Sequence, residues 1–226
     1  MWLHGDDVQF PDPAQANEDG VVAVGGLVTP RSLRRAYRRG IFPWPMDAKL
    51  PILWFCPEDR FVLELDALHV SRSLRKRLRS GIFEVRFDTA FEAVMRGCAA
   101  RRRRERGTWI DGRMLPGYVA LHLSGRIDGV SAHSVETWRD GRLVGGLYGV
   151  AAGGVFCGES MFALEPDASK VALVALVERM RERGFALLDC QVYTEHLAGL
   201  GAVNIDRTIY LERLAAVVDS PCVLAP

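Results

Sequence analysis

The sequence predicts a mixed α+β fold: a small N-terminal domain, then a larger domain built on an antiparallel meander and a strand–helix–strand crossover. Three observations carry this. Two short apolar runs, Val155–Phe162 and Phe185–Val192, have the length of buried strands. Between them, Val171, Val174, Val177 and Met180 share one face of a helix over Ser169–Arg183, with Gly184 where a C-cap belongs. Upstream, Asp140-Gly141 separates the strand-like runs Ala132–Trp138 and Leu143–Val150, which is a hairpin signal. A strand–helix–strand unit of this size implies a parallel crossover.

The other elements follow in order. Residues 1–30 are rich in Pro, Gly and acids and predict an irregular start, with a short strand at Val21–Val24 ended by Gly25-Gly26. Pro30 and Arg31 suit the first turn of a helix that runs to Arg39 and stops at Gly40. The aromatic–proline stretches Phe42–Pro45 and Pro51–Phe55 predict a stiff packed loop. Phe61–Leu65 is a strand candidate, and the domain boundary is expected near Asp66, dividing 1–66 from 67–226. Ser71 can cap a basic helix to Arg79, and Gly81 ends it. Alternating Phe83, Val85 and Phe87 predict a strand, and Phe91–Ala100 a helix. A helix over Met114–Leu123, open to a break at Gly117, leads into the hairpin, and Gly153-Gly154 offers a second corner. A helix at Thr194–Leu200, a strand at Val203–Asp206 and a helix at Tyr210–Val218 close the chain.

At 226 residues with 49% apolar side chains, a substantial core is available. The net charge of +1 hides an asymmetry. Residues 1–30 hold no Lys or Arg, whereas Arg31, Arg34, Arg35, Arg38 and Arg39 crowd the next nine positions. For a polyanionic partner, clustering of this kind matters more than the total. Five scattered cysteines without a CxxC pair argue against a zinc site or a disulfide framework and for a reducing compartment. The acidic N-terminus is unlike a secretory signal, and no apolar run approaches a membrane span. The expectation is a cytoplasmic protein, monomeric and away from membranes, with no metal and no cofactor.

Three polar residues interrupt the crossover strands: Glu159 in the first, Asp189 and Gln191 in the second. Strand alternation puts Asp189 and Gln191 on one face. A carboxylate inside an apolar strand is costly unless paired or used. Taken singly, such an acid is equally a strand-end group held by an arginine. Three on one crossover point to a site. Two basic runs, Arg72, Arg75, Lys76 and Arg77 with Arg79, then Arg101, Arg102, Arg103 and Arg104 with Arg106, point to phosphate contacts. The histidines His69, His122, His133 and His196 are expected to be structural.

A meander followed by a crossover bearing polar groups is the plan of GNAT-like acyltransferases. No Gly-rich loop opens the crossover helix, and the loop there, Leu164-Glu165-Pro166-Asp167, is acidic. That argues against an acetyl-CoA-dependent N-acetyltransferase, the first alternative. The second, a non-catalytic RNA-binding module, leaves Glu159, Asp189 and Gln191 without a purpose.

Several strings together resemble one family, the bacterial leucyl/phenylalanyl-tRNA–protein transferases. They are AVGGLVTPRSLRRAYRRGIFPWP (Ala23–Pro45), PILWFCP (Pro51–Pro57), HVSRSLRK (His69–Lys76), GTWI (Gly107–Ile110), AHSVETW (Ala132–Trp138), GGLYGVAAGGVFCGESMF (Gly145–Phe162), ASKVALVALVERM (Ala168–Met180) and LLDCQV (Leu187–Val192). The sequence departs from the family pattern at Leu27, where an acidic residue is usual, and between His122 and Ala132, where the connection is longer. The resemblance implies a small N-terminal domain, a GNAT-like C-terminal domain, and transfer of Leu, Phe or, less readily, Met from aminoacyl-tRNA. The acceptor it implies is the α-amino group of proteins beginning with Arg or Lys, which then enter N-end-rule degradation.

As chemistry, an amine attacks an ester that is already activated, so the obstacle is the proton on an α-ammonium of pKa about 8. Asp189 is the expected base, with Gln191 orienting it or binding the oxyanion; the resemblance points at the same two residues. Positioning alone, or relay through the ribose 2′-OH, remains open. Glu159 and Asp189 are the candidate anions for the acceptor's Arg or Lys. Leu147, Phe156, Met161, Leu176 and Met180 are candidate walls for the donor side chain, with ordinary core the competing reading. Trp54 and Trp109 are candidates to stack on the terminal adenine, and the basic runs to hold the acceptor-stem backbone.

Overall fold

The computed structural model describes residues 1–6, 8–45, 49–105, 110 and 112–224, with 101–105 as backbone. Strands β1 (Trp2–Leu3) and β2 (Val21–Gly25) precede helix α1 (Pro30–Tyr37). Thr29 caps α1: its Oγ1 accepts from Ser32 N–H, and Ser32 Oγ accepts from Thr29 N–H. Strands β3 (Phe42–Trp44) and β4 (Leu53–Phe55) complete a four-stranded sheet of order β1-β2-β4-β3. The aromatic–proline stretches are therefore strands rather than the expected loop. Pro43 is tolerated because β3 is an edge strand, where a missing N–H costs no ladder bond.

Next come β5 (Asp59–Leu63), the basic helix α2 (Arg72–Arg79, capped by Ser71), β6 (Glu84–Phe87), α3 (Phe91–Glu105) and α4 (Met114–Leu123). The chain continues with β7 (Val130–Arg139), β8 (Arg142–Ala152), β9 (Val155–Ala163), α5 (Ala168–Glu182) and β10 (Leu187–Gln191). Short α6 (Glu195–Ala198), β11 (Val203–Asp206) and α7 (Arg207–Val217) end it. The large sheet has the order β11-β5-β10-β9-β8-β7-β6. Among its pairs only β9 and β10 run parallel, as the crossover required. The Asp140-Gly141 turn has both residues at positive φ (51° and 72°), the conformation for which that dipeptide is suited.

β5 belongs to the large sheet, pairing with β10 and β11. The division between sheets thus falls between β4 and β5, ahead of the expected boundary at Asp66. Strand pairing decides this, and the local composition around Asp66 carries no sign of it.

The large sheet buries both faces. On one, α5 sets Leu173, Leu176, Val177 and Met180 against Leu147, Phe156 and Leu188. Each such burial is worth about 1.5–3 kcal/mol. The other face carries Cys157, Leu187 and Tyr148 under Tyr37, Tyr118, Tyr210 and the small sheet, in one continuous core. That core joins the two sheets.

α4 runs unbroken through Gly117, where a break was open. The glycine is needed for packing: a Cβ there meets the Val28 carbonyl oxygen at 2.3 Å. Because the obstacle is backbone, it cannot swing aside. Gly117→Ala is expected to cost about 1–3 kcal/mol in a chemical denaturation curve, as overpacking does. An unshifted midpoint means that α4 moves off the Val28 backbone without penalty.

Candidate functional site

Parallel pairing of β9 with β10 covers Val155 with Leu187, Phe156 with Leu188 and Cys157 with Asp189, and there the register ends. Beyond this point both strands turn irregular. β9 bulges at Glu159, since Gly149 pairs with Gly158 but Tyr148 pairs with Ser160. β10 shifts against β5 between Asp189 and Gln191, and Gln191 takes φ of 66°. A non-glycine residue in this region holds roughly 1–3 kcal/mol of strain, and such residues cluster at functional sites. The restraint is local: Asp189 Oδ1 accepts the Gln191 N–H at 2.8 Å. Two neighbouring strands therefore part, with Glu159 and Gln191 at the point of parting.

Asp189 is fully buried and both its oxygens are occupied. Oδ1 accepts from Arg60 Nε at 2.8 Å as well as from Gln191 N–H; Oδ2 accepts from Arg60 Nη2 at 2.6 Å and Tyr210 OH at 2.8 Å. Arg60 is 1% exposed, donates from Nη1 to the Gly40 carbonyl, and lies between the rings of Phe42 and Tyr210. Burial pulls the Arg60 guanidinium down, yet Asp189 and Tyr210 outweigh it and leave its pKa above the usual value. The expectation of Asp189 as general base is corrected. A carboxylate with every acceptor position filled and a cation in its fork has no access to a proton on a substrate. Its geometry instead fixes the turned backbone of Gln191.

Glu159 is different. It is buried at 5% exposure, and its partners are neutral. Oε1 accepts from Tyr37 OH at 2.6 Å and Gln191 Nε2 at 2.5 Å, and Oε2 accepts from Tyr118 OH at 3.2 Å. Burial raises its pKa to about 7, against the lowering effect of these three donors. Burial, then the Glu159 charge, pushes the Tyr37 and Tyr118 phenols well above their usual value, so both stay donors. Ser160 Oγ, next in the bulge, is buried without a hydrogen-bond partner.

The profile of the leucyl/phenylalanyl-tRNA protein transferase family matches residues 62–215, and that of the family's N-terminal domain matches 26–58. A leucyl/phenylalanyl-tRNA–protein transferase of Myxococcus xanthus is 54% identical over 213 residues, 94% of this chain and 88% of that one. One of Stutzerimonas stutzeri is 51% identical over 222 residues, 97% and 96% of the two chains. The chain belongs to the leucyl/phenylalanyl-tRNA–protein transferase family. It is accordingly an aminoacyltransferase, moving an amino acid from tRNA to protein. Among solved structures, L-PGS from Bacillus licheniformis is similar at 12% identity and a TM-score of 0.41, covering 78% of this chain and 57% of that one. The topology itself, a meander leading into two parting parallel strands, is the GNAT-like plan expected.

The transferase separates the other candidates. Leu147, Phe156, Leu176 and Met180 are buried together on the α5 face, with Met161 half-buried beside them. Glu159, Asp189 and Gln191 make their contacts on the opposite face, toward α1, α4 and α7. The acidic and apolar sets thus approach each other only where β9 and β10 part. Trp54 is corrected as a stacking surface: it is fully buried, donates from Nε1 to the Gly25 carbonyl at 2.9 Å, and packs edge-on to Phe10. Trp109 lies outside the described residues, as do the side chains of Arg101, Arg102, Arg103 and Arg104, whose backbone continues α3 as helix.

On α2, Arg72, Arg75 and Lys76 are exposed, whereas Arg77 leans on the Phe83 ring and pairs with Asp167 at 3.7 Å. His133 is tied by Nδ1 to Asp88 at 2.7 Å and by Nε2 to Ser131 at 2.8 Å, joining the turn after β6 to β7. Among the described residues no group of three or more His, Cys, Asp or Glu is placed to hold a metal, and no helix is long and apolar enough to cross a membrane.

Sequence reasoning missed Arg60, Tyr37, Tyr118 and Tyr210. Arg60 left one signal, a charge directly before the apolar run Phe61-Val62-Leu63. The tyrosines left none, because a helix-face tyrosine gives no hint of its hydroxyl's partner.

Proposed function

We propose that the protein moves Leu or Phe, and less readily Met, from charged tRNA to proteins whose first residue is Arg or Lys, marking them for N-end-rule degradation. It acts in the cytoplasm as a monomer, without a resident metal or cofactor. The α-amine nitrogen attacks the ester carbonyl carbon, the bond from that carbon to the ribose oxygen breaks, and an amide forms. The proton shed by the nitrogen ends on the departing ribose oxygen, directly or through the neighbouring hydroxyl.

In this reading Glu159 receives the acceptor's cationic side chain. The supporting observation is the contrast between the two buried acids: Asp189 already holds Arg60, whereas Glu159 is held by neutral donors alone. Gln191 spends its Nε2 on Glu159, which leaves its carbonyl oxygen as the acceptor for the attacking amine. Asp189 acts through Gln191 as a positioning residue. The donor side chain enters at the parting of β9 and β10 toward Met161, with Leu147, Phe156, Leu176 and Met180 lining the deeper wall. Arg72, Arg75, Lys76 and Arg77, with Arg101, Arg102, Arg103 and Arg104, hold the tRNA backbone through its phosphates. Trp109 stacks on the terminal adenine.

Transfer of radiolabelled phenylalanine from Phe-tRNA to peptides beginning with Arg, Lys or Ala tests the acceptor claim. Labelling of the first two is expected, at least tenfold above the third. Equal labelling of all three removes the acceptor specificity. Gly158 offers a second test. A Cβ there meets only ordinary contacts, at 3.7 Å from the Asp189 carbonyl oxygen and 3.8 Å from Leu188. Gly158→Val is expected to melt like the wild type yet lose more than tenfold in transfer rate, because the methyls fill the entry. Wild-type turnover in that variant places the entry elsewhere.

A further inference from the structure

We propose that a cleft between α1 and the connection from α4 to β7 is a second phosphate-binding surface, gripping the RNA backbone away from the aminoacyl end. This rests on the reading of charged tRNA as donor. The cleft has a volume of about 650 Å³ and is lined by Arg31, Arg34, Arg35, Arg38 and Arg126. The periodicity of α1 explains the convergence. Ser32, Leu33, Ala36 and Tyr37 are buried, so the arginines at i and i+4 spacing line the remaining faces.

Four of these side chains are held in place, Arg35 by donating from Nη1 to the Val8 carbonyl at 2.8 Å. Arg38 donates from Nη1 to the Asp128 carbonyl at 2.7 Å and from Nη2 to Asp219 Oδ1 at 2.6 Å. Arg126 Nη2 reaches the Ser220 carbonyl at 3.0 Å. Arg34 donates from Nη2 to Ser124 Oγ, but its Nε is enclosed without a hydrogen-bond partner. Among the described lining residues the carboxylates are Asp128 and Asp219, beside five guanidiniums. Among the described lining residues none is aromatic. The chemistry therefore suits backbone phosphates rather than a stacked base, and reads no sequence.

The placement fits one large RNA. α1 carries Tyr37, which holds Glu159. The basic helix α2 packs through Leu74 on Val171 and Val174 of α5, on the opposite face of the sheet. Phosphates held at both surfaces bracket the parting of β9 and β10.

The experiment measures binding of Phe-tRNA across a salt series for wild type, Arg126→Glu, Arg34→Lys and Arg75→Glu on α2. Arg126 is exposed and donates to a backbone carbonyl, so Arg126→Glu keeps the fold, as a thermal melt checks. Arg126→Glu is expected to bind about tenfold more weakly at low salt, with the slope of log affinity against log salt shallower by about one. Arg34→Lys retains the slope and loses affinity, because charge persists while the fork is gone. The preference for Phe-tRNA over a phosphate-free 3′-phenylalanyl-adenosine donor falls by the same factor in Arg126→Glu. Wild-type affinity and slope in Arg126→Glu, with Arg75→Glu weakened, overturn the cleft and leave the donor reading intact. A wild type that neither binds Phe-tRNA nor transfers from it overturns both.

Discussion

Arg60→Met is expected to lower the stability of the protein by about 3–5 kcal/mol, the usual cost of stranding one partner of a buried ion pair. For a chain of this size that is a fall of about 10 °C in melting temperature. The reason is that Asp189, 0% exposed, is left buried without its cation. Phe42 of β3 and Tyr210 of α7 also lose the guanidinium packed between them, so the loss reaches the junction of the two sheets. The double variant Arg60→Met with Asp189→Leu separates two roles. Removing both charges is expected to restore most of the stability, because an apolar pair escapes the desolvation penalty. Transfer is expected to stay impaired, because Gln191 N–H has lost the acceptor that holds its left-handed turn. Recovery of stability and turnover together means that Asp189 does nothing for the reaction.

Glu159→Gln is expected to reduce transfer to Arg-initiated peptides by about 30- to 150-fold, the range for losing one partner of a charge-assisted contact worth roughly 2–3 kcal/mol. The amide fits the same three partners, since the Tyr118 hydroxyl can rotate and accept. The variant also has a pH signature. The folded-state pKa of Glu159, about 7, lies above its ordinary 4.5. The stability this group contributes is therefore complete below pH 4.5 and is lost as pH rises through 7, a swing of about 3 kcal/mol. Denaturation midpoints of wild type and Glu159→Gln are expected to diverge across that window, the wild type losing relative stability toward pH 8. Turnover runs the other way: recognition of a cation needs the ionised form, so wild-type activity rises through pH 7 and the variant lacks that limb. Parallel pH profiles for the two proteins would falsify the assignment of Glu159 as the acceptor's anion.

Much of the fold was legible because it rests on local patterns. Val171, Val174 and Val177 announce the buried face of α5, Asp140-Gly141 the hairpin, and Gly184 the end of the crossover helix. β3 and β4 were not legible as strands, because prolines argue against a ladder unless the strand is known to be an edge. Strand alternation brought Asp189 and Gln191 toward one network, but the bulges that part β9 from β10 depend on bonds that alternation does not encode.

By itself the sequence determined which polar residues interrupt the crossover strands, and its long motif strings determined the family. Only the tertiary structure decided what each acid touches. Arg60 meets Asp189 across 129 positions, and Tyr37 meets Glu159 across 122. A carboxylate's charge and reach are set by burial and by the donors around it in space. One acid is spent holding an arginine, and its neighbour is held by two phenols and an amide.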